Sequence, residues 1–120
     1  MLPTQIANFF LAMQAGKAGA EALAAHFAED AVYEEPFTGE TRRHTGRDAV
    51  MQAMALGWDN PMPDMRINVD RVETNGAVID LDWTCFSPAI PGGQGRGHNR
   101  YVMRDGLIAE LVTTLEGPKP

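Results

Sequence analysis

Apolar residues recur at helical spacing in the first half of the chain and alternate one by one in the second. Pro3 opens a predicted helix that carries Ile6, Phe9, Phe10 and Met13 on one stripe, and Gly16 and Gly19 end it. A second helix begins near Ala20, with Leu23 and Phe27 one turn apart on its buried face. The short run Ala31-Val32-Tyr33-Glu34-Glu35 reads as a strand stopped by Pro36. Residues 38–46 read as a polar loop. From about Arg47 a third helix lines up Val50, Met51, Met54 and Trp58, until Asn60-Pro61-Met62-Pro63 breaks it.

Beyond that break the period is two. Met65, Ile67 and Val69 alternate with Arg66, Asn68 and Asp70, and Asn75-Gly76 signals a tight hairpin. The next strand sets Ile79, Leu81, Trp83 and Cys85 inward against Asp80, Asp82 and Thr84. Pro88, Pro91 and four glycines between 92 and 97 predict a mobile loop, followed by a strand from about His98 to Arg104. Asp105-Gly106 turns the chain into a last strand, Leu107 to Glu116, and residues 117–120 are expected to fray. Helices first and an antiparallel meander afterwards define an α+β chain, with one domain expected over residues 1–116.

Strand parity then sorts the side chains into two faces. Asn99, Tyr101 and Met103 are assigned inward, as are Leu111, Thr113 and Leu115. The outer face receives His98, and Asp80 and Asp82 are expected to pair there with Arg100 and Arg104.

Composition narrows the possible functions. The 120 residues carry a net charge of −6, which argues against a nucleic-acid partner because phosphate binding needs clustered Lys and Arg. Cys85 is the one cysteine, so neither an internal disulfide nor a cysteine-rich metal site is expected, and a reducing cytoplasm is the expected location. His26, His44 and His98 are scattered and form no metal-ligand spacing. No basic leader precedes an apolar run, and no apolar stretch approaches the roughly 20 residues that span a bilayer, so a soluble protein without a membrane partner is expected. The segment Gly92-Gly93-Gln94-Gly95-Arg96-Gly97 precedes a strand and lacks the Lys-Ser/Thr of a phosphate loop.

Phe27-Ala-Glu-Asp-Ala-Val-Tyr-Glu-Glu-Pro36, followed by Thr45-Gly-Arg-Asp-Ala-Val50, resembles the ketosteroid isomerase and SnoaL-like group of the nuclear-transport-factor-like superfamily. Tyr101-Val-Met-Arg-Asp-Gly-Leu-Ile-Ala-Glu110 resembles the final hairpin of that group. The resemblance implies a cone-shaped, cystatin-like fold, with three N-terminal helices packed on a curved, mainly antiparallel sheet around an interior pocket. It also implies homodimerisation through the outer sheet face, where Val78, Phe86, Val102 and Val112 are assigned. Cofactor-independent proton chemistry on a small apolar molecule is implied too, as by an isomerase or a cyclase-like lyase.

Carried over by position, the proton-shuttling carboxylate of ketosteroid isomerases falls at Glu35. The oxyanion-hole tyrosine of the first helix falls at Phe9, which has no hydroxyl, and the protonated acid of the penultimate strand falls at Asn99. SnoaL-type cyclases place an acid on the last strands, where this chain has Thr113. The Asp80-x-Asp82 pair resembles part of the epoxide-hydrolase relay on this fold, but its outward parity and the missing central arginine exclude that reading.

Two readings of Glu35 stay open: a general base in an apolar pocket, or a strand-end partner of Arg42 or Arg43. The expected pocket lining is Phe9, Tyr33, Phe37, Met54, Trp58, Trp83, Asn99, Tyr101, Leu111 and Thr113, with Asn99 and Tyr101 as possible oxyanion donors. Core packing is the plain alternative for each of these. At the level of function, the alternative is a non-catalytic ligand-binding or dimerisation module.

Overall fold

The structure is a computed structural model that describes residues 4–36, 39–59 and 64–116. Phe37, the helix-breaking residues 60–63 and the tail at 117–120 lie outside the described residues, as does the side chain of Trp58.

Helix α1 (Thr4–Gln14) leads through a 3-10 turn, Gly16–Gly19, into the short α2 (Ala20–Ala24). The chain then pairs β1 (Phe27–Glu35) with β2 (Arg42–Thr45) and crosses α3 (Arg47–Asp59). Four longer strands follow, β3 (Arg66–Asn75), β4 (Val78–Phe86), β5 (Gln94–Arg104) and β6 (Leu107–Glu116). All six form one sheet in the order β2-β1-β6-β5-β4-β3. Only β1 and β6 run parallel, and every other neighbour is antiparallel. The fold is α+β, with three helices against a curved, mainly antiparallel sheet.

Four boundaries differ from the sequence pattern. β1 begins at Phe27, where Leu23 was expected to share a helical face with it, because Phe27 pairs with Ile108 across the parallel join. The expected loop at 38–46 contains β2, whose Arg42, Arg43, His44 and Thr45 pair with Glu35, Glu34, Tyr33 and Val32. An edge strand this polar shows no alternation to read. The turn between β3 and β4 is Gly76-Ala77, one residue later than Asn75-Gly76, since Asn75 still pairs with Val78.

Finally, β5 starts at Gln94, so Gly95 and Gly97 are strand residues opposite Cys85 and Trp83. A Cβ on Gly97 would overlap the indole, 2.6 Å from Cε2 and Cη2, so the indole needs glycine there. The remaining loop is closed by its own backbone: Ser87 N–H donates to Gly93 O at 3.1 Å, and Gly93 N–H to Ile90 O at 2.8 Å.

Ile6, Phe9, Leu23, Phe27, Val50, Leu81, Tyr101, Ile108 and Leu111 are essentially solvent-free and form the core between helices and sheet. The inward parity holds for Ile79, Leu81, Trp83, Cys85, Asn99, Tyr101, Leu111 and Thr113, all buried, whereas Leu115 is 48% exposed near the sheet rim. On the outer face the ion pairing differs from expectation. Asp82 and Asp80 contact His98 Nδ1 and Nε2 at 2.7 and 2.9 Å, while Arg104 reaches across to Asp30. His98 on β5 sits directly opposite Asp82, and Asp80, although opposite Arg100, also turns to the imidazole.

Two outcomes follow. Gly97→Ala should destabilise the fold by about 1–3 kcal/mol through overpacking against Trp83, measurable by urea unfolding. Burial would lower the His98 pKa, but hydrogen bonds to Asp82 and Asp80, with their charges, raise it overall. The stabilisation from this group is therefore complete below the unfolded value near 6.5 and lost as pH rises through the folded one. His98→Gln should cost about 0.5 kcal/mol at pH 5.5, after solvent screening, and almost nothing at pH 9.

Candidate functional site

Between the helices and the concave sheet face lies a cavity of about 350 Å³. Its apolar wall comes from Phe9, Phe10 and Met13 on α1, Met54 on α3, Ile67 on β3, and Leu111 and Leu115 on β6. Met65, just before β3, and Ile90, on the loop after β4, complete it from the sides. Trp83 and Cys85 contribute from β4, and Gly95 from β5.

One patch of the wall is polar, and it runs across four adjacent strands: Trp83 on β4, Asn99 on β5, Thr113 on β6 and Tyr33 on β1. Asn99 is its centre. Trp83 Nε1 donates to Asn99 Oδ1 at 3.0 Å, Thr113 Oγ1 donates to the same oxygen at 2.8 Å, and Asn99 Nδ2 donates to Tyr101 Oη at 3.0 Å. An indole N–H can only donate, so it fixes which end of the amide is oxygen. The Thr113 proton is directed to that oxygen, and the Tyr33 hydroxyl lies beside Thr113. Burial, and next the Glu35 charge, push the Tyr33 phenol far above its ordinary pKa, so it keeps its proton at any physiological pH. Burial does the same to Tyr101. Burial also raises the Cys85 thiol, which leaves little thiolate for nucleophilic work.

Of the residues expected on the wall, Phe9, Tyr33, Met54, Trp83, Asn99, Leu111 and Thr113 are there. Tyr101 is not. Its ring lies behind the wall, edge-on to Phe9 at 5.4 Å between centroids, with its hydroxyl under the Asn99 amide. Phe37 and the Trp58 side chain are outside the described residues.

Glu35 is buried, at 2% exposure, on the same face of β1 as Tyr33 but outside the cavity wall. Its Oε2 accepts from Arg42 Nε at 2.7 Å and lies 3.0 Å from His44 Nε2, because β2 sets Arg42 and His44 directly opposite Glu35 and Tyr33. Arg43 takes Glu34 instead, at 2.5 Å. His44 also lies over the Tyr33 ring, 5.9 Å between centroids.

Sequence reasoning missed Phe10, Met13, Met65, Ile67, Cys85, Ile90, Gly95 and Leu115 on the wall. A lone isoleucine among Pro88, Ala89 and Pro91 was the available signal for Ile90. Among the described residues, no group of His, Cys, Asp and Glu is arranged to hold a metal ion, and no helix is long and apolar enough to cross a membrane.

The model of the SnoaL-like domain matches residues 6–111. Among solved structures, the chain is similar to a candidate polyketide cyclase from Sinorhizobium meliloti, with 22% identity over 94% of this chain and 95% of that one, at a TM-score of 0.78. It is also similar to a candidate ketosteroid isomerase from Kribbella flavida, with 22% identity over 97% of this chain and 78% of that one, at a TM-score of 0.75. A de novo designed protein with a curved β-sheet shares the architecture at 14% identity, over 97% of this chain and 88% of that one, with a TM-score of 0.70. Such likenesses establish the fold alone. No curated protein matches the sequence.

If Asn99 holds this wall together, Asn99→Leu should cost about 2–4 kcal/mol, because Trp83 Nε1 and the Thr113 hydroxyl lose their acceptor in a buried setting. Urea unfolding measures the loss, and a tryptophan emission shift reports the freed indole.

Proposed function

Because the chain belongs to the SnoaL-like family, we propose that it is a small-molecule enzyme that moves a proton on an apolar carbonyl compound, without a cofactor, using Glu35 as acid and base. The observation that carries this reading is the apolar cavity, with Tyr33 in its wall and the buried Glu35 carboxylate one pleat further along the same face of β1. Residues i and i+2 of a strand are about 7 Å apart, within the reach of a glutamate side chain towards a ligand lying beside Tyr33. The carbonyl oxygen would rest against the polar patch, and the carboxylate would take the proton from the neighbouring carbon. Arg42 and His44 hold the carboxylate in register, and His44, partly open to solvent, supplies a path for proton exchange.

A second reading has its own observation. Glu35 meets two basic groups and stands outside the wall, as a structural ion pair would. In that case the cone is a non-catalytic binding module.

Exchange of the carbon-bound proton of a cyclic ketone, followed by NMR in deuterium oxide, separates the two. The enzyme reading expects exchange above the buffer rate, reduced about 100- to 10,000-fold by Glu35→Gln with ketone affinity unchanged. Exchange that survives the substitution ends the proton-shuttle role. Binding without exchange in the unaltered protein establishes the module.

A further inference from the structure

Resting on the reading of Glu35 as the base, we infer that Tyr33 is a second catalytic residue, the hydroxyl that donates to the ligand oxygen as negative charge collects there. The first-helix position that the family resemblance assigns to such a donor is held by Phe9, and the Tyr101 hydroxyl lies behind the wall under Asn99. Three features lead to Tyr33: an uncommitted hydrogen, a place beside the base, and an electrostatic link to it.

The first is the hydrogen. Trp83 Nε1 and Thr113 Oγ1 both donate to Asn99 Oδ1, at 3.0 and 2.8 Å, so those two protons are engaged. Tyr33 lines the same cavity, and its phenol hydrogen meets no acceptor among the described residues. Thr113, beside it, draws the phenol pKa downward, which is the effect of a neighbour that donates and not of one that accepts. The second is place. Tyr33 and Glu35 share the buried face of β1 two residues apart, about 7 Å along the strand. Asn99, which has a second N–H, stands on β5 with β6 between it and β1, roughly 10 Å across the sheet. In a ketone the oxygen and the carbon that loses its proton are close neighbours. The donor that works with Glu35 therefore has to stand near it, and Tyr33 does.

The third is the link. Burial first, and the Glu35 charge next, hold the proton on Tyr33, so the phenol stays a donor throughout. In the reaction the C–H bond beside the carbonyl breaks, its proton goes to Glu35, and its electron pair moves into the carbonyl, whose oxygen becomes an enolate. The carboxylate charge is cancelled as an equal charge appears on the ligand. The field that held the phenol proton back is then gone, in the same step in which the ligand oxygen gains its charge. Tyr33 thus binds the charged oxygen more strongly than the ketone, and only such a difference accelerates a reaction.

The test is calorimetric titration of Glu35→Gln, which stands in for the protonated base, with two probes: 4-nitrophenolate for the charged oxygen and 1-tetralone for the ketone. Adding Tyr33→Phe should weaken 4-nitrophenolate about 10- to 100-fold and 1-tetralone only about 2- to 5-fold. With Glu35 in place, Tyr33→Phe should slow proton exchange about 100- to 1,000-fold. Equal losses for the two probes, no loss for either, or failure of both to bind overturns the donor role. Should urea unfolding show that Tyr33→Phe does not fold, NMR of Glu35→Gln decides. One of the two tyrosine hydroxyl protons should move downfield with 4-nitrophenolate, and two unmoved protons overturn the inference. Equal probe losses beside Glu35-dependent exchange remove the Tyr33 role alone. Exchange that survives Glu35→Gln removes the base, and this inference with it.

Discussion

The interior is organised by one oxygen atom. Asn99 Oδ1 accepts from an indole on one neighbouring strand and a hydroxyl on the other, so a single buried acceptor ties β4, β5 and β6 together below the helices. A buried amide is stable only when its groups are met, and here the sheet register supplies partners from the neighbouring strands. The register places Asn99 opposite Leu81 and Thr113, and Trp83 reaches it diagonally. A slip of one residue would turn the amide to solvent and present an arginine or a histidine to the core.

That tie also explains why the cone keeps a hollow. The indole of Trp83 is drawn flat along the sheet by its hydrogen bond, over the bare backbone of Gly97, and does not tip into the space above. Phe9 is held on the opposite side by edge-on contacts with Phe10, Phe27 and Tyr101, at 5.4–6.0 Å between centroids. With both rings pinned, most of the remaining apolar lining beside Phe10 is methionine and branched aliphatic. Methionine is unbranched and adaptable, so the shape of the space is set by the rings, and its fit to a guest by the thioethers.

How much of this the sequence disclosed follows from what alternation can and cannot encode. Period-two patterning sorted β4 and β6 correctly because each has one apolar face, and Asp105-Gly106 marked its turn, with positive φ at both residues. The same reasoning failed at β2, where Arg42 to Thr45 is polar on both sides, and at the start of β5, where glycines needed for the Trp83 ring resemble a loop. The inward assignment of Asn99 was legible, whereas its bond to Trp83 was not, because that contact depends on register between strands. Glu35 illustrates the limit on chemistry. Its inward face was readable from parity and Arg42 was among its expected partners, whereas His44 was not, because it comes from the strand that the pattern hid.

β1 and β6 are joined in parallel although most of the chain separates them, and the cone exists as an enclosure only once they meet. Contacts this distant in sequence carry a large loop-closure cost and form late in folding. Helix α1 and strand β1 must therefore wait with Phe9 and Phe27 uncovered until the last strand arrives. For a chain emerging from a ribosome, that is an interval of exposed aromatic surface, and the time at which a chaperone would have most to protect.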